Sequence, residues 1–177
     1  MAEFPKQFAF PDPQVHVGTN NLNSVGIYGA GTSSASGGWP QSNRAIFVPF
    51  RLTSPFSVST MWWENGATAT GNVDIGIYTE DGTRLVSSGS TAQTGTNTTQ
   101  SVTVTTTQLG PGLFYLALAL SSSSGTIFRN TGGGIQNQRV MGLAQQASAF
   151  PLPATATLAV MTTAYLPQCG MTGRSFI

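Results

Sequence analysis

From residue 44 onward, apolar positions recur every second residue in short runs set apart by Gly, Asn, Asp, Pro and Ser. That two-residue period is the mark of strands with one face in a core. The first run, Ala45-Ile46-Phe47-Val48-Pro49-Phe50-Arg51-Leu52, contains a proline that cannot donate to a ladder, which predicts an edge or a bulge at Pro49. Over residues 56–64 a strict alternation puts Phe56, Val58, Thr60 and Trp62 on one face and Trp63 on the other, with a loop following at 65–71.

Residues 72–88 carry the clearest local signal. Val73, Ile75 and Ile77 alternate with Asp74, Gly76 and Tyr78, and after Glu80-Asp81-Gly82-Thr83 a return strand begins at Arg84-Leu85-Val86. Asp81-Gly82 between two such runs predicts a hairpin with a type I′ turn, both central residues at positive φ. A threonine-rich strand at 100–106 turns Val102 and Val104 inward. Leu109, then Pro111-Gly112, then Tyr115 predict a tyrosine corner, with the Tyr115 hydroxyl tying strand to connection. In the run Leu116-Ala117-Leu118-Ala119-Leu120 the small alternate residues predict that the second face is covered as well.

A short strand at 126–128, a weakly patterned excursion from 130 to 153, and an apolar segment at 154–166 with Leu158, Val160 and Thr162 in phase finish the pattern. The total is about eight strands, which predicts an all-β chain: a single jelly-roll or Greek-key β-sandwich at 41–166. Residues 1–40 read differently. Phe4, Phe8 and Phe10 are interleaved with Pro5, Pro11 and Pro13, and the stretch ends at Trp39-Pro40. Such spacing favours an extended N-terminal arm whose aromatic residues either fold back on the domain or dock on a neighbouring subunit. Residues 167–177 read as a C-terminal tail.

Composition narrows the function. The 177 residues include 7 basic and 6 acidic side chains, Lys6 being the sole lysine, so there is no field to draw in nucleic acid or an anionic membrane. Hydroxyls replace charge: 18 Ser and 24 Thr, beside 21 Gly, favour strands and turns over helices. A surface of low charge repels its copies weakly, which suits a protein held in an assembly. No signal-peptide pattern or apolar run of spanning length occurs in the sequence, so a cytoplasmic site of synthesis is expected.

Catalytic chemistry has few residues to draw on. His16 is the only histidine and Cys169 the only cysteine, too few for a zinc set, and no nucleophile elbow is present. Outside the arm the acids are Glu64, Asp74, Glu80 and Asp81. Two belong to the turn, and Asp74 is expected on a polar face, paired with Arg84 across the hairpin. The Gly-rich stretches at 29–31 and 132–134 lack a phosphate-binding context. The expectation is therefore a protein that is not an enzyme and takes no cofactor or metal. Sugar binding needs only an exposed ring, and Trp39, Trp62, Trp63, Tyr28 and Tyr78 are the available platforms, with Trp63 and Tyr78 the candidate glycan contacts.

The runs at 43–50, 71–78 and 81–86, with the Pro111-Gly112 corner, resemble the small jelly-roll-like domains of tailed-bacteriophage virion proteins: head-decoration, head-fibre and minor tail proteins. The resemblance covers residues 43–128 and rests on structural motifs. It implies a cementing or adhesive role on the particle, partnership with the major capsid protein or other virion proteins, and a homo-oligomer, often a trimer. It brings no catalytic residues. Phe4, Phe8, Phe10 and Trp39 would then dock on the partner, and the alternative is a non-catalytic glycan-binding module of a fibre or tail.

Overall fold

The computed structural model describes residues 15–18, 21–24, 34–130 and 134–175. Strands dominate them. In chain order they are β1 (Val15–Gly18), β2 (Asn21–Ser24), β3 (Ser34–Gly38), β4 (Ala45–Leu52), β5 (Phe56–Glu64), β6 (Asn72–Thr79), β7 (Arg84–Ser87) and β8 (Thr91–Ala92). After these come β9 (Thr99–Leu109), β10 (Gly112–Leu120), β11 (Thr126–Asn130), the short helix α1 (Ile135–Val140), β12 (Ala144–Gln146), β13 (Ala159–Val160), β14 (Leu166–Pro167) and β15 (Cys169–Ser175).

The protein is an all-β sandwich of antiparallel sheets. The large sheet runs β13-β12-β4-β10-β6-β7, with β8 also on β6; the facing, small sheet runs β1-β2-β15-β5-β9; a third sheet, of three strands, is β14-β11-β3. The winding is visible in the pairings. β4 lies beside β10 in the large sheet, and their continuations β5 and β9 lie beside each other in the facing sheet. The chain thus crosses between sheets twice at one end, at 53–55 and at Gly110-Pro111, as when a long two-stranded ribbon is rolled into a jelly roll.

Apolar faces of both sheets meet in one core. Ile46, Val48 and Phe50 of β4, Val73, Ile75 and Ile77 of β6, and Leu116, Leu118 and Leu120 of β10 face Val58, Met61 and Trp63 of β5, with Cys169 and Met171 of β15. Pro49 sits where its missing donor costs nothing, because β12 pairs with β4 only as far as Phe47.

From Ala45 to Phe128 each strand expected from the pattern is present, and the differences have physical causes. The 79–83 turn is a hairpin of another type. Thr79 C=O accepts from Gly82 N–H at 3.0 Å, Thr79 N–H donates to Thr83 C=O at 2.9 Å, and only Gly82 has positive φ, at 87°. This is a type I turn followed by a left-handed glycine, which matches the register slip between Ile77 and Tyr78. The segment taken as a tail supplies β15, paired with β5 from Cys169 to Ser175. In the segment taken as an arm, β3 pairs with β11 and β2 with β15, while Trp39 lies in the protein's own core. The 154–166 segment forms only two short strands, and Val160 is exposed.

Candidate functional site

The two sheets treat their outer faces oppositely, and this sets out the places where function could reside. The outer face of the large sheet is covered over most of its length, with its end at Arg51 and Leu113 exposed. Its side chains Ala45, Phe47, Tyr78, Ala117 and Ala119 are buried beneath a strap that runs over residues 147–158 and packs Ala149, Leu152 and Ala156 onto them. The small alternate residues in β10 let backbone come close, as their sequence predicts. Gly76 shows the same closeness, since a Cβ there would stand 2.8 Å from Val86 O and 3.0 Å from Leu152 Cδ1.

Polar groups fasten the strap. The buried Asp74 carboxylate accepts from Leu152 N–H at 2.9 Å and from the Ser88 hydroxyl at 3.3 Å. Tyr78 Oη donates to Pro153 C=O at 2.6 Å. The Arg84 guanidinium donates to Leu152 C=O, and its backbone N–H to Ala154 C=O at 2.9 Å. Burial raises the Asp74 pKa, with the Leu152 N–H the largest of the opposing influences. Burial likewise raises the Tyr78 phenol well above its usual range. The exposed Asp74–Arg84 pair expected from the sequence is therefore replaced by two separate anchors on one strap, and Tyr78 is no glycan contact because it is covered.

Trp63 is also buried, and the reason lies one turn of pleat earlier. Between Val58 and Thr60 the β5 register shifts against both neighbours, so that β5 carries an extra residue relative to β15. A bulge inverts the alternation beyond it: Phe56 and Val58 point inward, then Met61 and Trp63, which leaves Trp62 outward. Gly173 belongs to this irregularity, since an added Cβ would collide with Ser57 O. Trp63 Nε1 donates to Asn65 Oδ1 at 2.8 Å. Asn65 in turn joins Gln93 Nε2 (3.0 Å), Gln100 Oε1 (3.0 Å) and Thr94 C=O (2.6 Å). These are neutral, mutually satisfied amides that lock the 65–71 and 92–98 loops, a structural arrangement.

The structure scatters the remaining sequence-predicted residues. Phe4, Phe8 and Phe10 lie outside the described residues. Trp39, expected to dock on a partner, is buried; its Nε1 donates to Arg44 C=O at 2.9 Å and its ring meets Tyr165 edge-on at 5.0 Å. Pro111 and Gly112 lie at the β9–β10 crossing, as expected, but the half-buried Tyr115 hydroxyl makes no hydrogen bond among the described residues, and its ring packs edge-on against Phe47 at 6.4 Å. Tyr165 does what the corner was to do. Its single hydroxyl proton is shared between the carbonyls of Gly37 (2.8 Å) and Ile127 (3.1 Å), joining β3 to β11. Nothing in the irregular sequence around Tyr165 signals that role. Asp81 is exposed, and hydrogen bonds from the Thr79 hydroxyl and then the Thr83 N–H lower its pKa, so it stiffens the turn.

Among the described residues, the outer face of the small sheet stays uncovered at β5 and β9, where Thr60 and Trp62 are half-buried and Ser101, Thr103 and Thr105 are exposed. Trp62 lies opposite Ser101 on β9 and Gly170 on β15; Thr60 lies opposite Thr103 and Thr172; Glu64 lies opposite Thr99. On one face these make a grid of hydroxyls around a single indole. The half-buried Trp62 ring leans across Gly170, where a Cβ would come within 2.6 Å of Cε2 and 2.8 Å of Nε1. Glu64 Oε2 accepts from the Thr99 hydroxyl at 2.5 Å. Among the described residues, no group of three His, Cys, Asp or Glu could hold a metal, and no helix is long and apolar enough to cross a membrane. Comparison with known proteins returns no match to any family model, curated protein or solved structure.

Proposed function

We propose that this protein is a non-catalytic structural component of a larger particle, an accessory virion protein of a tailed bacteriophage that decorates or cements the shell. The observation that carries the reading is the β9 edge. The large sheet ends in short strands: two residues in β13, four in β7 and two in β8. Among the described residues the small sheet ends in β9, eleven residues long, without a charge or a proline, and hydrogen-bonded to β5 alone, in a ladder interrupted between Thr103 and Thr107. A long, uncharged edge is a template for another chain unless something covers it. In an assembly, a neighbouring subunit or the major shell protein covers it. The sparse charge, the hydroxyl-rich surface and the resemblance of residues 43–128 to phage accessory domains support the same reading, as does the engagement of Asp74 and Asp81 in structural hydrogen bonds.

Particles purified from a lysate that encodes the chain should contain it in many copies by quantitative mass spectrometry. Thr105→Lys, which puts a charge on the exposed part of β9, should reduce incorporation while the isolated protein keeps its melting temperature. Absence of the chain from the particles would overturn the proposal.

A further inference from the structure

We infer that the outer face of the small sheet is a binding platform for neutral polysaccharide, with Trp62 as the stacking residue. This goes beyond the assembly role and rests on a different surface, the face of the sheet and not its edge.

Three properties of the face converge. First, among the β5, β9 and β15 positions of this face Trp62 is the one aromatic side chain: Thr60, Ser101, Thr103 and Thr172 surround it at neighbouring register positions on three strands. An indole held beside a sheet presents an apolar surface to the axial C–H bonds of a pyranose, while the flanking hydroxyls both donate to and accept from sugar hydroxyls. Second, the indole N–H has no hydrogen-bond partner among the described residues, although Nε1 of each of the other two tryptophans has one, to Arg44 C=O and to Asn65 Oδ1. A polar handle left free on a half-buried ring is what a ligand oxygen would complete. Third, the only charge among these positions is Glu64, held by the Thr99 hydroxyl. A carboxylate accepts from vicinal hydroxyls and repels uronic and sialic acids, so the ligand class is neutral hexose polymer.

The position of the ring is built into the backbone. Gly170 leaves the space over which the indole leans, and any side chain there would displace it. The β5 bulge before Thr60 is what turns Trp62, and not Trp63, to this face.

The test uses the full chain with dextran, galactan and mannan as neutral probes, and polygalacturonate as the acidic control. Affinity electrophoresis should show retardation by at least one neutral polymer and none by polygalacturonate. Because Trp39 and Trp63 are buried, the bound polymer should quench and shift only the Trp62 component of the fluorescence. Trp62→Ala should weaken retention at least tenfold and Trp62→Tyr should retain part of it. Ser101→Lys, an exposed change that lays a long side chain across the face without touching the core, should weaken it as well. Failure of every neutral polymer to retard the wild-type chain, or equal retention by the folded Trp62→Ala and Ser101→Lys variants, would overturn the inference. Neither result bears on whether the chain is present in particles.

Discussion

The two outer faces of the sandwich differ by one small substitution of character in their strands. In β10, Leu116, Leu118 and Leu120 enter the core while Ala117 and Ala119 face out; in β9, Val102 and Val104 enter while Ser101, Thr103 and Thr105 face out. Alanine outside invites a backbone to lie on it, and the 147–158 strap does so. Serine and threonine outside keep their water, and among the described residues nothing is packed on them. The same alternation therefore separates a surface used for stability from one left free for contact with other molecules. The strap also explains why polar residues are buried on that side. A covering loop brings unpaired carbonyls and N–H groups with it, and Asp74, Tyr78 and Arg84 satisfy those at Leu152, Pro153 and Ala154.

The sharpest way to break this contrast is to loosen the strap at its centre. Leu152 is buried against the small residues of the large sheet. Leu152→Ala should lower the free energy of unfolding by about 3 kcal/mol, the usual range for a leucine removed from a packed site. Urea denaturation followed by tryptophan fluorescence measures it. A loss below about 1 kcal/mol would mean that the strap only rests on the sheet and that both outer faces are open in effect.

A smaller effect comes from Asp74, and its sign depends on pH. Burial raises the folded-state pKa of Asp74, and the Leu152 N–H, the Ser88 hydroxyl and the charge of Arg84 offset that only in part. A carboxyl whose pKa is higher folded than unfolded binds its proton more tightly in the folded state. Its stabilising contribution is fully present below the unfolded value and is lost as pH rises through the folded one. Asp74→Asn keeps an acceptor for Leu152 and removes the titration. The stability of the wild type relative to Asp74→Asn should therefore be greatest near about pH 3 and should fall toward about pH 7, with the change centred above the ordinary aspartate range. Parallel melts of both proteins across that interval test it; a constant difference would show that Asp74 ionises as it does in the unfolded chain.

Much of this contrast could be read from residue types, and the rest could not, for reasons that are local. The alternation in 72–78, the Asp81-Gly82 turn and the Leu-Ala run of β10 each report a preference of their own backbone or face, so strand, hairpin and covered face were legible. The identity of the outward tryptophan was not. It depends on a bulge set by how β5 meets β9 and β15, and no residue at 58–60 announces it. Asp74 likewise reads as solvent-facing by period, because the residues that cover it, 149–156, are remote in sequence and have no periodicity. Strand β15 and the role of Tyr165 were hidden for the same reason: glycines at 170 and 173 look like a tail until Trp62 and the β5 bulge are set against them.

The smallest expected effect tests the open face directly. Thr103 lies on the exposed side of β9, opposite Thr60, and Thr103→Val exchanges a hydroxyl for a methyl group at equal size in a residue that also favours strands. On a face in contact only with water, the exchange gains nothing from burial and leaves no buried group unpaired, so stability should change by no more than about 0.5 kcal/mol. On a packed face the same exchange would strand the partner of the hydroxyl or fill a dry contact, and the change would exceed about 1 kcal/mol in either direction. Thermal melts of the isolated chain separate the two cases. A large change would place part of the protein over the small sheet, and the distinction between a strapped face and an open one, with the platform at Trp62 that depends on it, would fail.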